Sequence, residues 1–217
     1  LETKYPQGAE KMMIKAILNK EVPSGKLPMD VGCAVQNVGS LKAVADAVEK
    51  NIPLIERIVT VAGSTVKNPM NVMAKVGTPF SELFSHCGGF TGRNGKLIMG
   101  GPMMGMAQVT LDAVVIKATS GIIAINENDV DIKEEKACIR CGRCIEVCTM
   151  RLLPNVLSIL SEKGQHQTAQ TDYNLMDCVE CGCCYYVCPS RRNIVHYVRQ
   201  SKAKNAMLRN AIKTGSK

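Results

Sequence analysis

Eight of the eleven cysteines fall into two runs with one spacing, C-x-x-C-x-x-C-x-x-x-C: Cys138, Cys141, Cys144 and Cys148, then Cys178, Cys181, Cys184 and Cys188. Four thiols within eleven positions, twice, leave the backbone few choices. Gaps of two residues let a tight loop present three sulfurs to one small body. The fourth sulfur then sits on the helix leaving that loop. Structural zinc uses two C-x-x-C pairs divided by a longer spacer, and an odd total of cysteines argues against a fully paired disulfide set. The spacing is that of thiolates around [4Fe–4S] clusters.

In two-cluster ferredoxins the fourth cysteine of each run ligates the other cluster. The expectation is therefore crossed ligation, with Cys138, Cys141, Cys144 and Cys188 on cluster one and Cys178, Cys181, Cys184 and Cys148 on cluster two. Gly142 and Gly182 stand where backbone must approach inorganic sulfide, which suits a residue without Cβ. Pro189 follows Cys188 as in the bacterial ferredoxin run, whereas Thr149 takes that place after Cys148. Cys183 is an extra thiol, and its exchange with Cys184 as third ligand stays open. Cys33 and Cys87 are isolated and read as small buried hydrophobes. All-cysteine clusters pass single electrons, at potentials anywhere from about −700 to +450 mV.

The rest of the chain is globular in composition, with 46% hydrophobic and 21% charged residues over a length that can bury a core. The formal charge of +8 counts every cysteine as neutral. Each ligated cluster brings about −2, leaving about +4, which removes the case for nucleic acid. The absence of Trp and a total of three Phe leave few platforms for stacking bases. No run approaches the ~18 apolar residues of a spanning helix, and Leu1 to Glu10 does not read as a signal peptide. Free thiols and low-potential clusters point to a reducing compartment, the cytoplasm.

Periodicity predicts a helix over residues 8–20, a loop through Pro23 to Pro28, and a short buried strand from Val31 to Gln36. Asn37 is placed to cap a helix carrying Val38, Leu41, Val44, Ala45 and Val48. Strands are predicted over Arg57–Ala62, Asn71–Val76 and Lys96–Met99, with a short helix capped by Thr78 after the second. Two more follow at Val114–Lys117 and Ile122–Ile125. That β-β-α-β order suggests a β-grasp-like module. A charged linker, Asn126 to Lys136, precedes the cysteine-rich part, in which Pro154–Lys163 and Ile194–Ile212 read as helices. Domain limits are drawn at 1–55, 56–130 and 131–217. His86, His166 and His196 are unclustered and read as surface or packing residues, and Met99 to Met106 as core and turn. Arg191, Arg192, Arg199, Lys202, Lys204, Arg209 and Lys213 read first as a solvated basic face, with docking of an acidic partner or anionic lipid as the sharper option.

Several segments carry a family resemblance. Tyr5-Pro-Gln-Gly-Ala-Glu-Lys11, Leu27-Pro-Met-Asp-Val-Gly32, Val35-Gln-Asn-Val-Gly39, Gly77-Thr-Pro79 and Ile98-Met-Gly-Gly-Pro-Met-Met-Gly105 resemble the C subunit of the Rnf electron transport complex. Cys138 to Cys148, with Leu152-Leu-Pro154 after it, fits the same family. The resemblance implies an α+β chain: a remnant of an α/β flavin domain, a soluble-ligand-binding β-grasp module and a helical, ferredoxin-like 2[4Fe–4S] domain. It implies FMN and NADH as cofactors of the complete subunit, and other Rnf subunits with ferredoxin or another iron–sulfur subunit as partners. It also implies a peripheral place on the cytoplasmic face of the cell membrane, in a complex coupling ferredoxin oxidation and NAD⁺ reduction to ion movement. The chain does not begin with Met and has no G-x-G-x-x-G loop, so it reads as the downstream part of such a subunit. By similarity to the flavin-binding subunit of respiratory complex I, Gly8, Glu10, Asn37 and Ser40 would line the FMN site, although Ala9 and Ser40 depart from that pattern. A cobalamin reductase of related build and a structural iron–sulfur scaffold are the rival readings.

Overall fold

The computed structural model describes residues 2–130 and 134–215. Its helices are α1 (Glu10–Leu18), α2 (Val38–Lys50), α3 (Phe80–His86), α4 (Arg143–Glu146), α5 (Pro154–Glu162), α6 (His166–Thr171), α7 (Cys183–Tyr186) and α8 (Ile194–Gly215). Its strands are β1 (Glu56–Ala62), β2 (Met70–Lys75), β3 (Asn94–Met99), β4 (Met106–Gln108) and β5 (Gly121–Asn126). The class is α+β. The chain forms two compact units, one of residues 1–35 with 133–217 and one of residues 36–132. The division drawn from sequence at 55/56 and 130/131 therefore differs from the grouping by contact. The reason is long-range polar contact: Tyr5, Lys11 and Ser24 all bond to the segment around the second cysteine run.

The unit of residues 36–132 is a mixed five-stranded sheet in the order β2-β1-β5-β3-β4. β1 pairs antiparallel with β2 and parallel with β5, and β3 pairs antiparallel with both β5 and β4. Alternate residues of β1, Val59 and Val61, are fully buried, as a strand with one face on a core requires. They pack with Ile122 and Ala124 of β5 and with Phe80, Leu83 and Phe84 of α3. Each large apolar side chain buried this way contributes about 1.5–3 kcal/mol. Cys87 lies in the same core with no exposure, so the reading of it as a small hydrophobe matches its burial.

Two predicted strands are absent. Val31–Gln36 follows a 3-10 turn, Pro28–Val31, and Gly32 at φ 73° turns the backbone away. No neighbouring strand pairs with this stretch among the described residues. Val114–Lys117 makes one bridge, Val114 to Pro79, because proline has no N–H to extend a ladder. Val115 is nonetheless fully buried, held by its N–H to the Thr78 carbonyl and by its own carbonyl accepting from Gly77. The start of α3 differs as well. Pro79, not Thr78, is the capping position and offers no side-chain bond. The carbonyls of Ala113 and Leu111 take the free N–H groups of Phe80 and Ser81 instead. Asn37 caps α2 as predicted, its side-chain oxygen accepting from the Gly39 N–H. The apolar residues of α2 lie on its exposed surface, with Val38 81% and Val48 77% exposed.

In the other unit, α5, α6 and α8 pack together around Leu157, Ala169, Leu175 and Val198. Pro154 opens α5 at its first position, where the missing N–H costs nothing. Gly164, at φ 73°, turns the chain just beyond the helix end. The linker predicted over Asn126 to Lys136 includes residues 131–133, which lie outside the described residues. Lys213 lies outside the residues whose surroundings are described.

Candidate metal centre

The two cysteine runs fold alike, residue for residue. Arg140 and Glu180, each just before the second cysteine, both take φ 57°. Gly142 and Gly182, each just after it, take φ 79° and 85° and cap α4 and α7. This left-handed conformation is the local reason for glycine at both places. The fourth cysteine of each run closes its helix identically, Cys148 N–H to the Ile145 carbonyl and Cys188 N–H to the Tyr185 carbonyl. Arg151 and Arg191 then turn the chain away at φ 52° and 51°.

Two cavities lie between these loops. Cys138, Cys141, Cys144 and Cys188 line one, together with Arg140, Asn155 and Pro189. Cys178, Cys181, Cys184 and Cys148 line the other, with Cys183 as a fifth thiol. Each cavity thus draws three thiols from one run and one from the other. Ile194, at the start of α8, borders both and is almost fully buried. Among the described residues no three His, Cys, Asp or Glu side chains close on a single-ion position. The thiols instead line the two cavities.

The electrostatics fit an electropositive body. Burial pushes the Cys144 thiol up, and the neighbouring Cys138 and Cys188 sulfurs push it further. Burial pushes Cys184 up to about 12, aided by Cys178, Cys181 and Cys148. Cys183 is pushed up to about 11 by burial and by its bond with Cys181. Four clustered thiolates away from water are costly unless a metal neutralises them, and iron supplies that charge. Backbone N–H groups already point at two sulfurs, Leu152 to Cys148 Sγ and Glu180 to Cys178 Sγ, each at 3.4 Å. Such bonds favour the thiolate and tune a cluster's potential.

The loops differ in what surrounds them. Around the second run, Lys202 Nζ donates to the Cys178 carbonyl at 2.6 Å and to Glu180 Oε1 at 2.8 Å, while Arg199 Nε donates to Glu180 Oε2 at 2.8 Å. Burial would raise the Glu180 carboxyl, but these two cations outweigh it and hold the group below the usual range. Tyr5 Oη donates to the Cys181 carbonyl at 2.5 Å, and Asp177 accepts from Lys11 at 3.3 Å and from Ser24 at 2.5 Å. Around the first run, Arg192 is 5% exposed and pairs with Glu162 at 2.6 Å and Glu135 at 3.4 Å, beneath the Tyr197 ring. The basic tail is therefore not a uniform solvated face: Arg192, Arg199 and Lys202 are structural cations of the two loops. Their carboxylate partners, far away in sequence, left no periodic signal to find them by.

The remaining sequence-derived site residues fall in both units. Gly8 and Glu10 belong to the unit with the cysteine loops, and Asn37 and Ser40 to the sheet unit. A Cβ at Gly8 would meet nothing within 4 Å, and Glu10 occupies the first turn of α1. The Asn37 side-chain oxygen is engaged by the Gly39 N–H and the Arg57 guanidinium. Cys33 is half-buried, its thiol directed at the Val31 carbonyl. His166 Nδ1 is 2.6 Å from Ser201 Oγ, a packing role. Met104 and Met106 are exposed and flank an open groove with Met99, so that stretch is less of a core than its composition suggests.

Comparison with known proteins finds three family matches along the chain. Residues 1–46 match the Nuo51 FMN-binding domain family, residues 58–107 the SLBB domain family, and residues 137–191 the 4Fe-4S dicluster domain family. The chain is 52% identical over 205 residues to the C subunit of the proton-translocating ferredoxin:NAD(+) oxidoreductase complex of Clostridium ljungdahlii, covering 94% of this chain and 45% of that protein. It is 42% identical over 202 residues to the Na(+)-translocating counterpart of Acetobacterium woodii, covering 93% and 45%. It is 43% identical over 205 residues to the C subunit of the ion-translocating oxidoreductase complex of Pseudomonas aeruginosa, covering 94% and 26%. The chain thus spans less than half the length of these relatives. Among the described residues, no helix is long and apolar enough to cross a membrane.

Proposed function

We propose that this chain, a homologue of the C subunits of ion-translocating ferredoxin:NAD⁺ oxidoreductase complexes along 94% of its length, is the electron-transfer part of such a protein. The observation that carries this reading is the pair of cavities, each bordered by three cysteines of one run and the fourth of the other. On this reading Cys138, Cys141, Cys144 and Cys188 hold one [4Fe–4S] cluster, and Cys178, Cys181, Cys184 and Cys148 hold the second. When bound, such clusters exchange one electron at a time, at potentials set by hydrogen bonds, charge and exposure. The protein's part is to supply eight thiolates, direct N–H groups at their sulfurs, and exclude water from the wall formed by Ile194. Exchanged fourth ligands tie the two loops into one rigid body, so the spacing between clusters is set by the fold.

The family match of residues 1–46 supports a flavin in the complete protein, with Gly8, Glu10, Asn37 and Ser40 as candidate contacts. FMN would take hydride from NADH, or give it to NAD⁺, as a two-electron reagent. The mixed sheet and its family match support a β-grasp module. The relatives' names, as subunits of ion-translocating complexes, support a place beside other subunits of such a complex; a peripheral position on the cytoplasmic face of its membrane belongs to the same proposal.

Anaerobic loading with iron and sulfide tests the reading. Roughly eight irons per chain are expected, with two reversible EPR signals on reduction by dithionite. Clusters that dithionite cannot reduce would instead support a structural scaffold.

A further inference from the structure

The two cysteine loops share a backbone and differ in cover and charge. At the second loop, Val179, Glu180 and Cys181 are half-buried, and residues Tyr5, Lys11 and Ser24 bond to it or to Asp177 just before it. Glu180 there is neutralised by Arg199 and Lys202. At the first loop, the residues in the same places are exposed: Ile139 is 67% exposed, and Arg140 and Cys141 are open to solvent. Arg140 stands where the second loop has Glu180, and exposed Arg143 where it has Cys183. Lys136, whose N–H bonds the Ser190 carbonyl at the wall of the first cavity, is also exposed. Glu134 and Glu146 are the exposed carboxylates on this stretch, so the rim is cationic on balance.

Resting on the cluster assignment above, we propose that the first loop is the docking surface for an acidic protein carrying a one-electron centre. Electron tunnelling falls steeply with distance, so a partner must approach the cluster whose loop is open. A cluster with four thiolates is itself an anion, and it would repel an acidic partner. Arg140 and Arg143 reverse that repulsion at the point of approach, while exposed Ile139, next to Arg140 in the chain, offers an apolar contact. The second loop, covered by the segment that matches the flavin-binding family, faces the interior of the electron path. The two clusters are thus not interchangeable: one serves the chain itself and the other serves the partner.

The test uses the cluster-loaded chain at low ionic strength and follows two stopped-flow reactions. One is reduction of the oxidised chain by an acidic 2[4Fe–4S] ferredoxin, and the other is oxidation of the reduced chain by a basic cytochrome c. Arg140→Glu with Arg143→Glu should slow the first roughly tenfold and accelerate the second, since steering depends on the sign of local charge. Glu at position 140 suits the backbone, because Glu180 holds the same φ in the twin loop. Should the double variant lose the first cluster's EPR signal, Arg143→Glu alone must give the same pair of opposite shifts. Equal slowing of both reactions, no change in either, or a larger effect from Lys204→Glu with Arg209→Glu on α8 overturns the proposal. An unmodified chain that takes up no iron on loading would instead defeat the cluster assignment itself.

Discussion

Lys202→Met should lower the potential of the second cluster and leave the first nearly unchanged. Lys202 is only 19% exposed and donates both to the Cys178 carbonyl and to Glu180. Cys178 is a ligand in the proposed assignment, so the ammonium lies a few bonds from the cluster's edge. One unit charge at roughly 8 Å, in an effective dielectric of about 20, interacts by about 2 kcal/mol. For a one-electron couple this corresponds to about 85 mV. Loss of a cation disfavours the more negative reduced cluster, so the shift is towards lower potential. Arg199 remains to pair with Glu180 and offsets part of the change, which leaves an expected shift of about 40–85 mV. Glu180→Gln removes a negative charge at the same place and should move the potential upward. The assay is an EPR-monitored redox titration of the loaded protein, following both signals. A shift under about 10 mV, or one confined to the first cluster, would refute the reasoning.

Cys148→Ser should damage the second cluster and Cys188→Ser the first, read as loss of one EPR signal each. The reverse pattern would show that each run closes its own cluster. Cys183→Ser should retain both clusters with full iron content, since Cys184 completes the set; loss of the second cluster would make Cys183 the ligand. Arg192→Met removes the cation shared by Glu135 and Glu162 and should speed loss of the first cluster, followed by bleaching of its visible absorbance. Breaking a buried pair costs about 3–5 kcal/mol, and the 47% exposure of Glu162 reduces this to about 2. Gly63→Ala places a Cβ 1.9 Å from the Ala124 carbonyl at a residue with φ 128°. It should destabilise the sheet unit by about 3 kcal/mol, seen as an earlier loss of strand signal in thermal circular dichroism.

The cysteine loops were legible because their geometry is local. Two-residue gaps, a glycine after the second thiol and a short following helix are all encoded within eleven residues, and both runs fold as that spacing demands. Asn37 as the cap of α2 was legible for the same reason. The start of α3 was not, because Ala113 and Leu111, some thirty residues on, supply the carbonyls that a capping side chain would otherwise provide. Val115 reads as a strand residue from its apolar neighbours, yet its partner is a proline, and a ladder needs an N–H on both sides. Arg192, Arg199 and Lys202 have the spacing of a solvated helix face, and only their distant carboxylates reveal otherwise.

By itself the sequence marked which residues would hold iron and set them in two loops of one build, since ligand chemistry and loop curvature depend on neighbours along the chain. Tertiary structure decided how those loops became unequal. The covering of one by Tyr5, Lys11 and Ser24, the neutralisation of Glu180, and the exposure of Arg140 and Arg143 on the other all arise from contacts made or lacking across the fold. Side chains more than a hundred residues apart meet only once the chain has folded, and charge and burial at a site are properties of that meeting.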